Sequence, residues 1–261
     1  MTRFLIVNDD GVTSPMLPPM VKHLGSLGTV SVAVPLREQS WKSKAMTRYE
    51  PITYEARAEF GVEAYAIDGT PSDCVNIAVH HLLAERPDWV ISGINIGVNA
   101  GEAYVINSGT VGAAFEGGLL GLPAVAFSQY VPPAIFHEWT SEKRLTSPAA
   151  AALIEHGATR VARMMRTIVA EGLPPGAMLL NVNFPDGLAA DTPVQWCNLL
   201  VTRYGSIFDR EGDHFIHRFG GNVTREPHPL GDKDVVEQGK ISVTALSLPG
   251  LAVPVDGYPI P

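Results

Sequence analysis

Cysteine is scarce in this chain: Cys74 and Cys197 are the only two in 261 residues. That count fits reduced, buried thiols in a cytosolic protein rather than a disulfide framework. Charge is thin too, at 18% of residues against a typical ~25%. The net charge is −8, so nothing suggests an electrostatic grip on a nucleic-acid backbone, and a duplex is not an expected partner. No apolar run approaches the ~20 residues of a membrane span, which argues against a membrane. A basic stretch leading into an apolar core of roughly 7–15 residues, the mark of a signal peptide, is also missing, and the cytoplasm is the expected compartment. The chain has no internal repeat and no low-complexity segment.

What is present is a hydrophobic content of 46%, enough for one large α/β domain or a core with an appended subdomain. The low charge hints that some surface is covered in an oligomer. The most informative stretch is Phe4-Leu5-Ile6-Val7-Asn8-Asp9-Asp10-Gly11. A short apolar run that ends in a turn residue reads as a parallel strand buried on both faces. Open α/β sheets bind ligands beyond the carboxyl ends of their strands, where Asp9 and Asp10 fall. Two neighbouring carboxylates repel, so a site that keeps both ionised usually contains a cation, and oxygen ligands suit Mg²⁺, Mn²⁺ or Ca²⁺. A plain loop cap is the alternative for Asp-Asp-Gly.

The rest of the chain alternates between strand and helix patterns. Residues 16–27 are helical, and Thr29–Val34 reads as a second parallel strand, one βαβ unit after the first. The polar segment after Pro35 brings Ser40 and Ser43, with Arg37, Lys42, Lys44 and Arg48, to the same edge; at most one of the serines is expected to be functional. Val62–Ile67 reads as a strand or hairpin. Thr70, Pro71 and Asp73 resemble a capping box for a helix reaching about Ala84, with Cys74 in its core face. Trp89–Ile94 is a further buried strand that runs into a Gly- and Asn-rich loop. The loop continues to Ser108-Gly109-Thr110, where hydroxyls and backbone N–H groups start a helix through Gly121, an anion-binding pattern. Pro123–Ser128 is a strand, 129–147 irregular, Ser147–Glu171 the longest helix and Met178–Phe184 a strand. Short alternating segments follow, suggesting antiparallel structure or an extending arm. His214 and His217 are read there as sharing one face of a surface hairpin rather than as a metal pair.

Three strand ends thus deliver compatible groups to one edge: Asp9 and Asp10, then Ser40, then Asn95. Such a mixed oxygen site leaves room for water and a phosphoryl oxygen, as metal-assisted hydrolysis requires, with Ser108-Gly109-Thr110 holding the other phosphoryl oxygens. Adjacent residues on a strand point to opposite faces, so both aspartates reach one metal only if the strand has already ended. Gly11 permits that turn.

The ordered motifs VNDDG, EQS (Glu38–Ser40), GTPSDCV, SGIN (Ser92–Asn95) and SGTV (Ser108–Val111), with the closing GDKDVVEQGKISVTALSL, resemble the SurE family over essentially the full chain. The resemblance implies a Rossmann-like α/β three-layer sandwich with a mostly parallel sheet. It implies one SurE-like domain over 1–261, with a core over about 1–190, and a β-rich hairpin and oligomerisation arm over about 191–261. The arm is exchanged in homodimers or homotetramers. It further implies a metal-dependent phosphomonoesterase acting on nucleoside monophosphates at 5′ or 3′ positions, sometimes also on polyphosphate. One divalent metal per subunit, Mg²⁺ or Mn²⁺, is held by residues matching Asp9, Asp10, Ser40 and Asn95, and Asn99, Ser108, Gly109 and Thr110 lie at the phosphate. The chain departs from the family pattern at Met16 and Trp41, where glycine or another small residue is usual, and at Asn107, where an aromatic or histidine is usual. Its 99–108 stretch is one residue longer and lacks an aspartate usual there; Glu102 is the nearest acid.

The expected chemistry is in-line attack by a metal-activated water. A receiver domain is disfavoured, because Ser92 and Gly93 stand where its phospho-acceptor aspartate belongs. A haloacid-dehalogenase phosphatase needs Asp-x-Asp, and Val7 stands two residues before Asp9. A dinucleotide-binding domain needs more glycines after the first strand than Gly11. A metal- and nucleotide-binding sensor without turnover is the remaining alternative.

Overall fold

Phe4 and Ile6 belong to one buried apolar cluster, and Leu5 and Val7 to another. Period-two alternation along a strand therefore feeds two cores, and β1 (Thr2–Val7) lies between two helical layers. The computed structural model describes residues 1–142, 144–218 and 223–248.

From β1 the chain runs through α1 (Leu17–Gly25), with Pro18 in the first turn where its missing N–H is not needed, to β2 (Gly28–Pro35). It then forms β3 (Tyr54–Ala56) and β4 (Glu63–Ile67). Helix α2 (Pro71–Ile77) starts on the expected capping box: Thr70 Oγ1 accepts from Asp73 N at 3.1 Å, and Thr70 N donates to Asp73 at 2.9 Å. It ends earlier than the expected Ala84 because a π turn takes over at Ala78–Leu82. Next come β5 (Trp89–Ile96), α3 (Glu102–Asn107), α4 (Gly109–Leu119), β6 (Ala124–Gln129), α5 (Pro133–Glu142), α6 (Pro148–Glu171) and β7 (Leu179–Phe184). The final third holds β8 (Val194–Trp196), β9 (Thr202–Tyr204), β10 (Phe208–Glu211), β11 (His214–His217), β12 (Val223–Arg225), α7 (Asp232–Glu237) and β13 (Ile241–Leu246).

Among the described residues nine strands form one sheet, in the order β3-β4-β2-β1-β5-β6-β7-β13-β8. The run from β4 to β7 is parallel, while β3 pairs antiparallel with β4 and β13 antiparallel with β7. Residues of α1, α5 and α6 complete one core and residues of α2, α3 and α4 the other, giving three layers. The chain builds outward from β1 in one direction, then returns to add β5 on the other side. That reversal is the topological switch point where open α/β sheets bind ligands.

Three stretches differ from expectation. Residues 129–147 contain α5, and the loop before Ser108 contains α3. The proposed division near 190 cuts through the sheet: β13, expected in an arm, lies between β7 and β8. Its Ser242 and Thr244 are buried with their apolar neighbours, so an alternating pattern here marks a covered strand. What stands apart is the pair of two-stranded ribbons, β10–β11 and β9–β12. His214 and His217 lie three residues apart, opposite Glu211 and Phe208 in the ladder, and so face opposite sides. The last part of the expected exchanged arm, 249–261, lies outside the described residues. Among the described residues no helix is long and apolar enough to cross a membrane.

Candidate active site

The chain turns immediately after β1. Gly11 N donates to Asn8 Oδ1 at 3.0 Å and Asn8 Nδ2 donates back to Gly11 O at 3.1 Å. Gly11 has φ +86, and a Cβ there would lie 2.9 Å from the backbone of Arg37, so this bend between two strand ends needs glycine. The strand has therefore ended before Asp9 and Asp10, and both line one cavity of about 590 Å³. Ser40 and Asn95 line it as well, as do Asn99 and Ser108.

Each carboxylate is anchored by a different element. Thr110 Oγ1 donates to Asp9 Oδ1 at 2.6 Å, and Ile96 N donates to Asp10 Oδ2 at 3.2 Å. Helix α4 comes this close to Asp9 because residue 109 is glycine: a Cβ there would sit 2.9 Å from Asp9 Cβ and 3.0 Å from its Oδ2. Burial pushes the Asp9 carboxyl up to about 6, opposed by the hydrogen bond from Thr110. A cation beside the carboxylate would act in the opposite direction to burial. Asn95 sits where the β5–β6 register shifts, and its Nδ2 donates to Gly97 O at 2.8 Å. Such irregularities re-aim side chains beside active sites.

The expected phosphate residues divide. Ser108 caps α4, accepting from Val111 N at 3.1 Å, and lines the cavity. Asn99 lines it too, held from below: Asn99 N donates to Asn183 Oδ1 at 2.7 Å and Asn99 Nδ2 to Ser128 Oγ at 2.9 Å. Gly109 and Thr110 stand behind Asp9, with the Thr110 hydroxyl used on the carboxylate. Of the two loop serines, Ser40 lines the cavity, while Ser43 Oγ donates to Ile106 O at 2.6 Å, a loop tether. Glu102 is outside the lining and pairs with Arg203 at 2.7 Å. Both thiols are free and raised by burial, Cys197 to about 11, and neither lines the cavity.

Two acids, a hydroxyl and an amide are hard oxygen donors of the kind that hold Mg²⁺, Mn²⁺ or Ca²⁺. Among the described residues no three His, Cys, Asp or Glu side chains cluster as a metal site. A cation here would therefore use Ser40 and Asn95 alongside Asp9 and Asp10. The donor set fits one.

Residues 4–206 match the family model described as "Survival protein SurE". The chain belongs to the SurE family. Similar SurE proteins include a 5′-nucleotidase SurE from Methanocella arvoryzae, 36% identical over 252 residues that cover 94% of this chain and 92% of that protein. Another, from Deinococcus radiodurans, is 37% identical over 256 residues, covering 94% and 87%. The crystal structure of SurE protein from Aquifex aeolicus matches with a TM-score of 0.70 at 28% identity, over 94% of this chain and 93% of that one. All eight site residues named from the SurE motifs lie inside the matched range.

Part of the lining was not foreseen. Tyr104, Tyr130, Phe136 and Trp139 reach the cavity from α3, the end of β6 and α5, and His217 from β11. These come from stretches read as loop or hairpin, with no local pattern to mark them. Trp41 and Asn107, which also line the cavity, are marked in the sequence as departures from the SurE pattern.

Proposed function

We propose that this chain is a metal-dependent phosphomonoesterase that releases phosphate from nucleoside monophosphates. The observation that carries the reading is the convergence of buried Asp9 and Asp10 with Ser40 and Asn95 at the switch point, beside the start of α4. The SurE relatives named as 5′-nucleotidases support the substrate class. Asp9, Asp10, Ser40 and Asn95 would hold one divalent cation per subunit, Mg²⁺ or Mn²⁺. A cation so held supplies Lewis-acid polarisation of a phosphoryl oxygen and a nucleophilic water near neutral pH.

The chain's own residues do the positioning. Thr110 and the Ile96 N–H fix one oxygen of each aspartate, so both carboxylates are pre-set. Ser108 and the α4 N-terminus offer donors to the phosphoryl anion. Asn99, pinned by Asn183 and Ser128, shapes the opposite side.

The deciding assay is phosphate release from a panel of 5′- and 3′-nucleoside monophosphates and polyphosphate, with Mg²⁺, Mn²⁺ or chelator. The expected result is metal-dependent release that chelator abolishes and Asp9→Asn lowers at least a hundredfold. Nucleotide binding without release across the panel would instead establish a sensor. We also propose that the chain works as a homodimer or homotetramer, which the exposed Trp196 and Phe215 support.

A further inference from the structure

The groups suited to phosphate and cation share a cavity of about 590 Å³, a size that encloses a whole small-molecule ligand. The remaining walls are largely aromatic and come from elements far apart in the chain: Trp41 after β2, Phe136 and Trp139 on α5, and His217 on β11. Trp41 follows Ser40 in the chain and lines the same cavity.

The Trp41 ring meets the His217 ring with centroids 5.0 Å apart at 60°, and the Tyr204 ring at 6.3 Å and 83°. His217 in turn meets Phe208 edge-on at 5.6 Å. The Trp41 backbone has φ +60, a conformation that bulky residues rarely adopt and that persists only where the surroundings impose it. Those surroundings are visible: Ser43 N donates to Asn107 O at 3.1 Å, and Lys44 Nζ lies 2.5 Å from buried Glu116. The loop is thus tied down on both α3 and α4, with the indole projecting at the cavity.

We infer that the Trp41 indole is the stacking face of a wall for the planar base of the nucleotide, with the His217 ring, set at 60° to it, buttressing the indole. Together the two rings set the preference for nucleoside monophosphates over phosphate esters of aliphatic alcohols. The inference rests on the nucleotidase reading. An aromatic face accepts any base, because each has a π-face, so the discrimination is base present against base absent.

The test compares kcat/KM for AMP and for glycerol phosphate in wild type, Trp41→Gly, Trp41→Phe and His217→Ala. Glycine suits the backbone at φ +60, so Trp41→Gly removes the ring without adding strain. The AMP-to-glycerol-phosphate ratio should fall tenfold or more in Trp41→Gly, chiefly through KM for AMP, and recover in part in Trp41→Phe. His217→Ala should move it the same way. Both substrates are read on one sample, so a lower folded fraction cancels. A ratio within twofold of wild type in Trp41→Gly overturns the wall. Tryptophan fluorescence with adenosine in chelator provides a readout independent of turnover: quenching in wild type should be lost in Trp41→Gly, and equal quenching in both overturns the inference. Should wild type release phosphate from neither ester, the nucleotidase reading fails, while the quenching still decides the wall.

Discussion

Asp9 combines three constraints in one side chain: burial, a 2.6 Å hydrogen bond from Thr110, and the close passage of Gly109. Its carboxyl is held at about 6 rather than its usual 3.8. A raised acid favours the fold only while protonated, so its cost is absent below about 3.8, grows as pH rises towards about 6, and is complete above that. The full cost is on the order of 3 kcal/mol. Asn keeps an oxygen for the Thr110 hydroxyl and carries no charge. In chelator, Asp9→Asn should therefore melt several degrees above wild type at pH 8, with the gap narrowing as pH falls to 5. Calorimetric scans across that range check it; a gap independent of pH would show that Asp9 is not the titrating group. The acids themselves were visible in the sequence, because they follow an apolar run and precede a glycine. The role of Thr110 was not, since its partner lies 101 residues away and its hydroxyl was expected at the phosphate.

At the scale of elements, the loop over 36–53 is held against α2 and α4 by two buried acids. Glu116 takes Lys44 and, at 2.8 Å, Asn76 Nδ2; Asp73 takes the Thr47 hydroxyl at 2.7 Å. Lys44→Ala should leave Glu116 without its cation and loosen the segment that presents Ser40 and Trp41. Amide exchange over 40–47 should accelerate severalfold while β1 and β5 stay protected, as exchange mass spectrometry would show; unchanged exchange would mean that Asp73 and the Ser43 tethers hold the loop without Lys44. At the neighbouring junction, a Cβ at Gly109 has no room beside Asp9. Gly109→Ala should lower metal-dependent phosphate release tenfold or more with a far-ultraviolet circular dichroism spectrum like wild type, and normal turnover would show that α4 can retreat freely. The buried strands and the long α6 could be read from apolar runs and helical spacing. Helices α3 and α7 could not, because they are short and their ends are held from a distance, and α5 could not, because only Ile135 and Trp139 of its ten residues are buried. Buried Asp232, at the start of α7, accepts from Gly101 N at 2.8 Å and Leu200 N at 3.0 Å. Glu138 of α5 accepts from Ser147 N at 3.0 Å. The partners of Asp232 lie 131 and 32 residues away in the chain, outside any local window.

For the molecule as a whole, half of the large apolar side chains left exposed among the described residues lie in the final third. Val194 and Trp196 lie on β8, an edge of the nine-stranded sheet, at 47% and 55% exposure, and Phe208 and Phe215 on the β10–β11 ribbon at 50% and 66%. A two-stranded ribbon is marginal in water without a covering surface, and an open edge bearing apolar side chains invites another chain. A second copy of the chain is the occupant expected for this surface. Light scattering after size exclusion should give two or four times the 28.0 kDa of one chain. Trp196→Asp with Phe215→Asp should shift the population towards one chain, with the central sheet still folded by circular dichroism, since neither side chain belongs to the two buried cores. Wild type that stays at one chain from micromolar to submillimolar concentration would show that the exposed aromatic surface needs no second copy.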